Sequence, residues 1–143
     1  PEGEYIIPLG VAEIKRKGTD VTIVSFGKII KEAYKAADIL AKDGISCEII
    51  DLRTIRPLDI DAIIESVKKT NRLVILEEAW PYGNISTEIT YQVQEKAFNY
   101  LDAPIKRINT ADTPAPYSPV LLAEWLPDYT DVIKEVKEVL YVK

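Results

Sequence analysis

The stretch Ile45-Ser46-Cys47-Glu48-Ile49-Ile50-Asp51-Leu52-Arg53-Thr54-Ile55-Arg56-Pro57-Leu58 decides how this chain folds. Its first six residues are a short, largely apolar run of the kind that forms a buried strand. The run passes without a spacer into a loop carrying an acid, two arginines and a proline. Asp59 then offers a helix N-cap ahead of an apolar stripe at Ile60, Ile63, Ile64 and Val67. Strand, functional-looking loop and helix in that order mark the edge of an α/β layer.

The same alternation runs outward in both directions. Upstream, Ala12–Arg16 reads as a short, charged edge strand. Gly18-Thr19-Asp20 is a turn, and Val21–Phe26 is a buried strand closed by Gly27. Residues 28–43 place Ile30, Ala33, Ala37 and Leu40 on one helical face, with Gly44 as the stop. Downstream, Arg72–Glu77 is a third buried strand. Gly83-Asn84 opens a helix with Ile85, Ile89 and Val93 on one side. Ile105–Asn109 is a further strand, and Asp128–Leu140 a closing helix bearing Val132, Val136 and Val139. Strands alternating with helices predict a three-layer α/β/α domain with a five-stranded, mostly parallel sheet, one edge strand antiparallel. The reading is a single domain over residues 1–143, with residues 1–10 as a lead-in linker.

Residues 110–127 do not fit the rhythm. Pro114, Pro116, Pro119 and Pro127 hold such a stretch extended and argue against a helix at its start. Yet Tyr117, Leu121, Leu122 and Trp125 are too apolar for a free linker. The segment either packs on its own domain or lines an interface, where Trp and Tyr are favoured anchors.

Composition narrows the chemistry. The chain has 143 residues, a net charge of −5 and no histidine. A chain of this size can build a proper core. The acidic balance argues against nucleic acid as a partner, and no apolar run is long enough for a membrane helix. Absence of His removes the commonest general base and metal ligand, and excludes a Ser-His-Asp or Cys-His triad within the chain. The one cysteine, Cys47, sits among isoleucines and reads as a small buried hydrophobe. A chain that starts Pro1-Glu2-Gly3-Glu4 and has no methionine reads as a piece of a longer protein.

Three candidate sites remain. Glu77 and Glu78 follow a strand at the sheet's carboxyl edge, where paired acids do acid–base work or simply sit in a solvated, ion-paired loop. Arg53 and Arg56 lie at the same edge. They bind an anion, brace loops by pairing with Asp51, Glu77 or Glu78, or reach a partner; bracing or interface is the favoured role. Gly27-Lys28, between a strand and a helix, is a weak anion-binding signal. No phosphate-binding glycine motif is present. The residues alone give an α/β domain without a self-sufficient active site. A stand-alone small-molecule-binding module is the alternative to an assembly domain.

The chain resembles the C-terminal domain of the pyruvate dehydrogenase beta subunit, in the transketolase C-terminal-like family. The resemblance rests on Pro1–Tyr5 and Ile7–Gly10, Gly18–Phe26, Asp51–Asp59 and Ser66–Val74. It continues through Glu77–Pro81, Leu101–Pro104, Asp112–Tyr117 and Trp125–Pro127. It implies a heterotetrameric parent of two alpha and two beta subunits. There, thiamine diphosphate and magnesium bind between alpha and the N-terminal half of beta, upstream of residues 1–10, and none binds in this piece. The parent's implied reaction is oxidative decarboxylation of pyruvate with acetyl transfer to lipoyl-lysine. Branched-chain 2-oxo acid and acetoin-cleaving relatives are the alternatives. The implied location is the bacterial cytoplasm or the mitochondrial matrix. The implied work of this domain is contact with the alpha subunit and the second beta subunit, and docking of the dihydrolipoyl acyltransferase core. Asp102 and the Lys143 carboxylate are the docking residues this implies. Trp80, Trp125, Arg53 and Arg56 are the candidate subunit contacts.

Overall fold

In the computed structural model, which describes residues 3–142, five strands form one sheet. The strands are β1 (Glu13–Arg16), β2 (Val21–Ser25), β3 (Cys47–Asp51), β4 (Leu73–Leu76) and β5 (Lys106–Ile108). Their order is β1-β3-β2-β4-β5. Only the β1–β3 edge pair is antiparallel. The register sets Ser25 opposite Asp51 on one side and opposite Leu76 on the other. Three strand ends therefore lie side by side at the carboxyl edge.

The helices are α1 (Ile30–Leu40), α2 (Ile60–Thr70), α3 (Ile85–Ala97), α4 (Pro119–Trp125) and α5 (Tyr129–Val139). Two cores result. Ala33, Ala36, Ala37 and Leu40 of α1 pack with Val132 and Val136 of α5 against Val21, Ile23 and Ile49. Ile63 and Val67 of α2 pack with Ile89 and Val93 of α3 against Val24, Ile50 and Ile75. Successive residues of one strand thus feed opposite cores, as the two-residue pleat requires. Residues such as Ile23 and Ile50 are fully buried. Each such side chain contributes about 1.5–3 kcal/mol relative to exposure.

The helix boundaries follow local chemistry. Asp59 Oδ1 accepts from the Ala62 N–H at 3.2 Å, and Asn84 Oδ1 from the Thr87 N–H at 3.3 Å. Asp128 and Asp131 form a reciprocal capping box on α5. Gly44 ends the α1 region at φ +80°, a left-handed position that suits glycine.

Residues 110–127 depart from expectation. The prolines hold them extended only as far as Ser118; Pro119–Trp125 is helical, with Pro119 in the first turn. Proline is tolerated there because that N–H has no intrahelical partner to lose. None of the seven residues of α4 is buried.

One polar network lies inside the second layer. Glu48 is fully buried, yet it is ion-paired to Lys69 and accepts from the Ser66 hydroxyl at 2.5 Å and the Gly18 N–H at 3.3 Å. Thr22 Oγ1 links Ser66 (2.6 Å) and Thr70 (2.7 Å). This ties β2, β3 and α2 together at the amino end of the sheet. Gly18 is required there, since a Cβ would lie 2.2 Å from the Glu48 nitrogen. Burial alone would raise the Glu48 carboxyl, but the bonds from Lys69, Ser66 and Gly18 outweigh it and hold the carboxyl below its ordinary value. A carboxyl depressed on folding stabilises the fold above its ordinary range, and that stability is lost as pH falls through the folded value. Lys69→Met is expected to lower stability by about 2–3 kcal/mol near neutral pH and to weaken its acid dependence. Urea unfolding from pH 3 to 7 measures both; a parent-like acid limb in the variant would refute the assignment. Cys47 is buried as its flanks predict, and burial pushes its thiol up to about 12. A thiol reagent is expected to label it only on unfolding.

Candidate functional site

The loop after β3 closes over the lead-in segment. Arg53 adopts φ +57° and its N–H donates to Asp51 Oδ1 at 3.0 Å, which turns the chain sharply away from the strand. Its guanidinium pairs with Glu13 at the start of β1. Lys15, first, and Arg53 hold the Glu13 carboxyl below its ordinary value, against the effect of burial. Thr54 Oγ1 accepts from the Gly10 N–H and donates to the Pro57 carbonyl, both at 2.9 Å. Asp59 does two jobs: while Oδ1 caps α2, Oδ2 accepts from the Ala12 N–H at 2.9 Å. Gly10, at φ +73°, passes so close that a Cβ would lie 2.8 Å from the Pro57 ring.

Arg53 thus braces a loop, with Glu13 as its partner rather than Asp51, Glu77 or Glu78. Arg56 is exposed and lines a shallow groove of about 470 Å³ with Ile55, Leu58 and three residues of α3. The clamp leaves Tyr5, Ile6, Ile7 and Leu9 exposed along the lead-in.

The two acids after β4 are separated. Glu77 is fully buried, so the solvated-loop reading fails for it. Its Oε1 accepts from Asn109 Nδ2 at 2.8 Å, and its Oε2 has no hydrogen-bond partner among the described residues. Glu78 is exposed, facing the start of α1 across a crevice. Glu77 still donates its N–H to the Ile108 carbonyl of β5, whereas Glu78 lies in the bend beyond it. The pair has no shared geometry for acid–base work. Among the described residues, no three His, Cys, Asp or Glu side chains stand together as a metal site.

The tryptophans converge. Trp80 Nε1 and Trp125 Nε1 both donate to the Thr113 carbonyl, at 3.0 and 2.9 Å. The Ala111 N–H donates to the Trp125 carbonyl at 3.1 Å, and the Thr110 N–H to the Ala79 carbonyl at 3.0 Å. The segment after β5 is thereby pinned to the segment after β4. Trp80 remains 51% exposed, and Tyr82, Tyr117, Val120 and Leu121 are more exposed still. This is an apolar edge held rigid by polar contacts, the form that contact surfaces take.

Asp102 lies at the opposite, amino edge. It is exposed, 3.7 Å from Arg72, and its carbonyl accepts from the Tyr141 hydroxyl at 3.4 Å. Asp102 and the last described turn of the chain are therefore neighbours. Lys143 itself lies outside the described residues. Composition and spacing gave no sign of Glu13, Gly10 or the Thr113 carbonyl, because backbone and side-chain partners more than ten residues apart leave no local pattern.

By fold, this is a three-layer α/β/α domain whose polar groups brace its loops and whose apolar groups crowd two edges. The model of the family described as "Transketolase, C-terminal domain" matches residues 10–132, and the chain belongs to that family. It is 51% identical over 141 residues to the pyruvate dehydrogenase E1 component subunit beta of Rickettsia felis, covering 99% of this chain and 43% of that subunit. It is 54% identical to the mitochondrial subunit of Dictyostelium discoideum, over 80% of this chain and 32% of that one. It is also 48% identical to the acetoin:2,6-dichlorophenolindophenol oxidoreductase subunit beta of Bacillus subtilis, over 98% of this chain and 41% of that one. Among solved structures, a split-gene transketolase described as an inactive beta4 tetramer superposes with a TM-score of 0.83 at 24% identity, over 98% of this chain and 44% of that one; this likeness concerns fold. The chain spans about two fifths of the length of such relatives.

Asp59 separates the clamp from the helix. Asp59→Ala is expected to cost about 1–2 kcal/mol, since the α2 cap and the Ala12 bond are lost together. Asp59→Asn keeps a capping oxygen but places an N–H donor opposite Ala12. Amide hydrogen exchange should then speed up at Ala12 and not at Ala62; equal speeding at both would refute the dual role.

Proposed function

We propose that this chain is the C-terminal assembly domain of a pyruvate dehydrogenase beta subunit. The observation that carries the reading is the 51% identity to such a subunit across 99% of the chain. The reaction proposed for the intact parent is oxidative decarboxylation of pyruvate and acetyl transfer to lipoyl-lysine of the acyltransferase. Thiamine diphosphate would supply the carbanion chemistry with magnesium at its diphosphate. Among the described residues, no three acids stand together as a metal site. The cofactor and its metal are assigned to the portions of the parent outside this chain, together with catalysis. The proposed location is the bacterial cytoplasm or the mitochondrial matrix.

The assembly role has physical support. Trp80, Trp125 and the exposed apolar residues around them form one edge pinned by polar contacts, and Tyr5 to Leu9 form a second exposed strip that ends at the Gly10–Thr54 bond. We assign these surfaces, with Arg56, to the alpha and second beta subunits. We assign Asp102 and the Lys143 carboxylate to docking of the acyltransferase's basic binding domain, in line with the acidic charge of the chain. A second reading, an acetoin-cleaving parent, is favoured by the 48% identity to an acetoin oxidoreductase subunit.

Two experiments test these assignments. The complete beta subunit, assembled with its alpha subunit, is expected to reduce a dye with pyruvate faster than with acetoin; the reverse order would select the second reading. Asp102→Lys is expected to weaken acyltransferase binding-domain affinity about tenfold by calorimetry, the scale of one lost charge contact. An unchanged dissociation constant would remove Asp102 from the docking site.

A further inference from the structure

The strand order creates a second feature that the assembly reading does not use. From β2 the chain crosses by α1 to β3, and from β4 it crosses by α3 to β5 on the other side of the sheet. Adjacent strands whose connections leave toward opposite faces define a switch point, where open α/β sheets bind ligands at the carboxyl edge. Here a crevice of about 490 Å³ lies at that place. Lys28 and Ile29 after β2 form one wall, Glu78 after β4 another, and the α4–α5 connection around Leu126 covers it. Its size suits a small organic molecule.

The charges in the crevice sort themselves. Glu32 is taken by Lys35 at 3.0 Å, with Lys31 at 3.8 Å. Asp128 is committed to capping α5, accepting from the Thr130 N–H at 2.7 Å. Lys28 and Glu78 remain, exposed and without an ion-pair partner among the described residues, and they do not bridge each other. The crevice therefore offers one free cation and one free anion on opposite walls, over the apolar surface of Ile29, Leu122 and Leu126.

We propose that this crevice binds a small zwitterion of the α-amino-acid type, its carboxylate toward Lys28, its ammonium toward Glu78, and an apolar side chain over Ile29 and Leu122. The site is independent of the parent's reaction.

The test uses three probes on the isotope-labelled chain: L-norvaline, pentanoate, which lacks the ammonium, and butylamine, which lacks the carboxylate. Amide shifts at Gly27–Ile29, Glu78 and Leu126 are followed by NMR. Norvaline is expected to shift them saturably in the millimolar range, at least about tenfold tighter than either fragment, the step expected for one charge-assisted contact. Lys28→Gln is expected to weaken norvaline about tenfold. Glu78→Gln is expected to bring norvaline and pentanoate to equal affinity. Both side chains are exposed, so unchanged shifts elsewhere will report an intact fold. Three results each overturn the proposal: no saturable shift up to about 50 mM, equal affinity for all three probes, or norvaline binding that neither variant alters.

Discussion

The structure depends on one constraint, the burial of β2 on both faces. All five of its residues are buried, and its neighbours β3 and β4 are nearly so. A strand hidden on both sides needs a helical layer above and another below. That demand fixes the two cores, sends α1 and α5 to one face and α2 and α3 to the other, and leaves strand ends, loops and outer helix faces for contact with anything else. Polar residues in the buried strands are tolerated only where they are answered: Thr22 by Ser66 and Thr70, Glu48 by Lys69, Ser66 and Gly18.

The proposed contacts therefore fall at edges. At the carboxyl edge, short polar links convert flexible connections into fixed surfaces. Asp59 serves a helix and the lead-in at once, and the Thr113 carbonyl holds two indoles. Bonds of this kind contribute about 1 kcal/mol each. Their larger effect is to hold apolar residues such as Trp80 and Leu121 in place before any partner arrives, which lowers the ordering cost of association. The amino edge, with Asp102 beside Tyr141, is separate from this surface. The proposed assembly role thus assigns contacts to opposite ends of the sheet.

Much of this was legible in the chain. The apolar runs at Val21–Ser25 and Leu73–Leu76 read as buried strands because nothing else tolerates such side chains in so short a span. Asp59, Asn84 and Asp128 announced their helices because capping is a local interaction. The helix at Pro119–Trp125 was missed because four prolines outweighed a position where one proline costs nothing. Glu77 and Glu78 looked like a pair because they are adjacent in sequence; Glu77 stays bonded to β5 in the interior, and the bend after it leaves Glu78 in the crevice. Arg53 read as a loop brace or a partner contact, and its partner Glu13 lies 40 residues away, where no spacing rule reaches.

The sequence by itself determined the layers, the alternation of elements, the caps and the exclusion of a histidine-based active site, because each follows from periodicity, local hydrogen bonding or composition. Only the tertiary structure decided the strand order, and with it the switch point between β2 and β4. It alone chose the partners of Arg53, Glu48 and the two tryptophans, and left Lys28 and Glu78 uncommitted across one crevice. Those outcomes depend on which distant segments meet, and that is set by how two apolar cores close around a shared sheet rather than by any residue's neighbours along the chain.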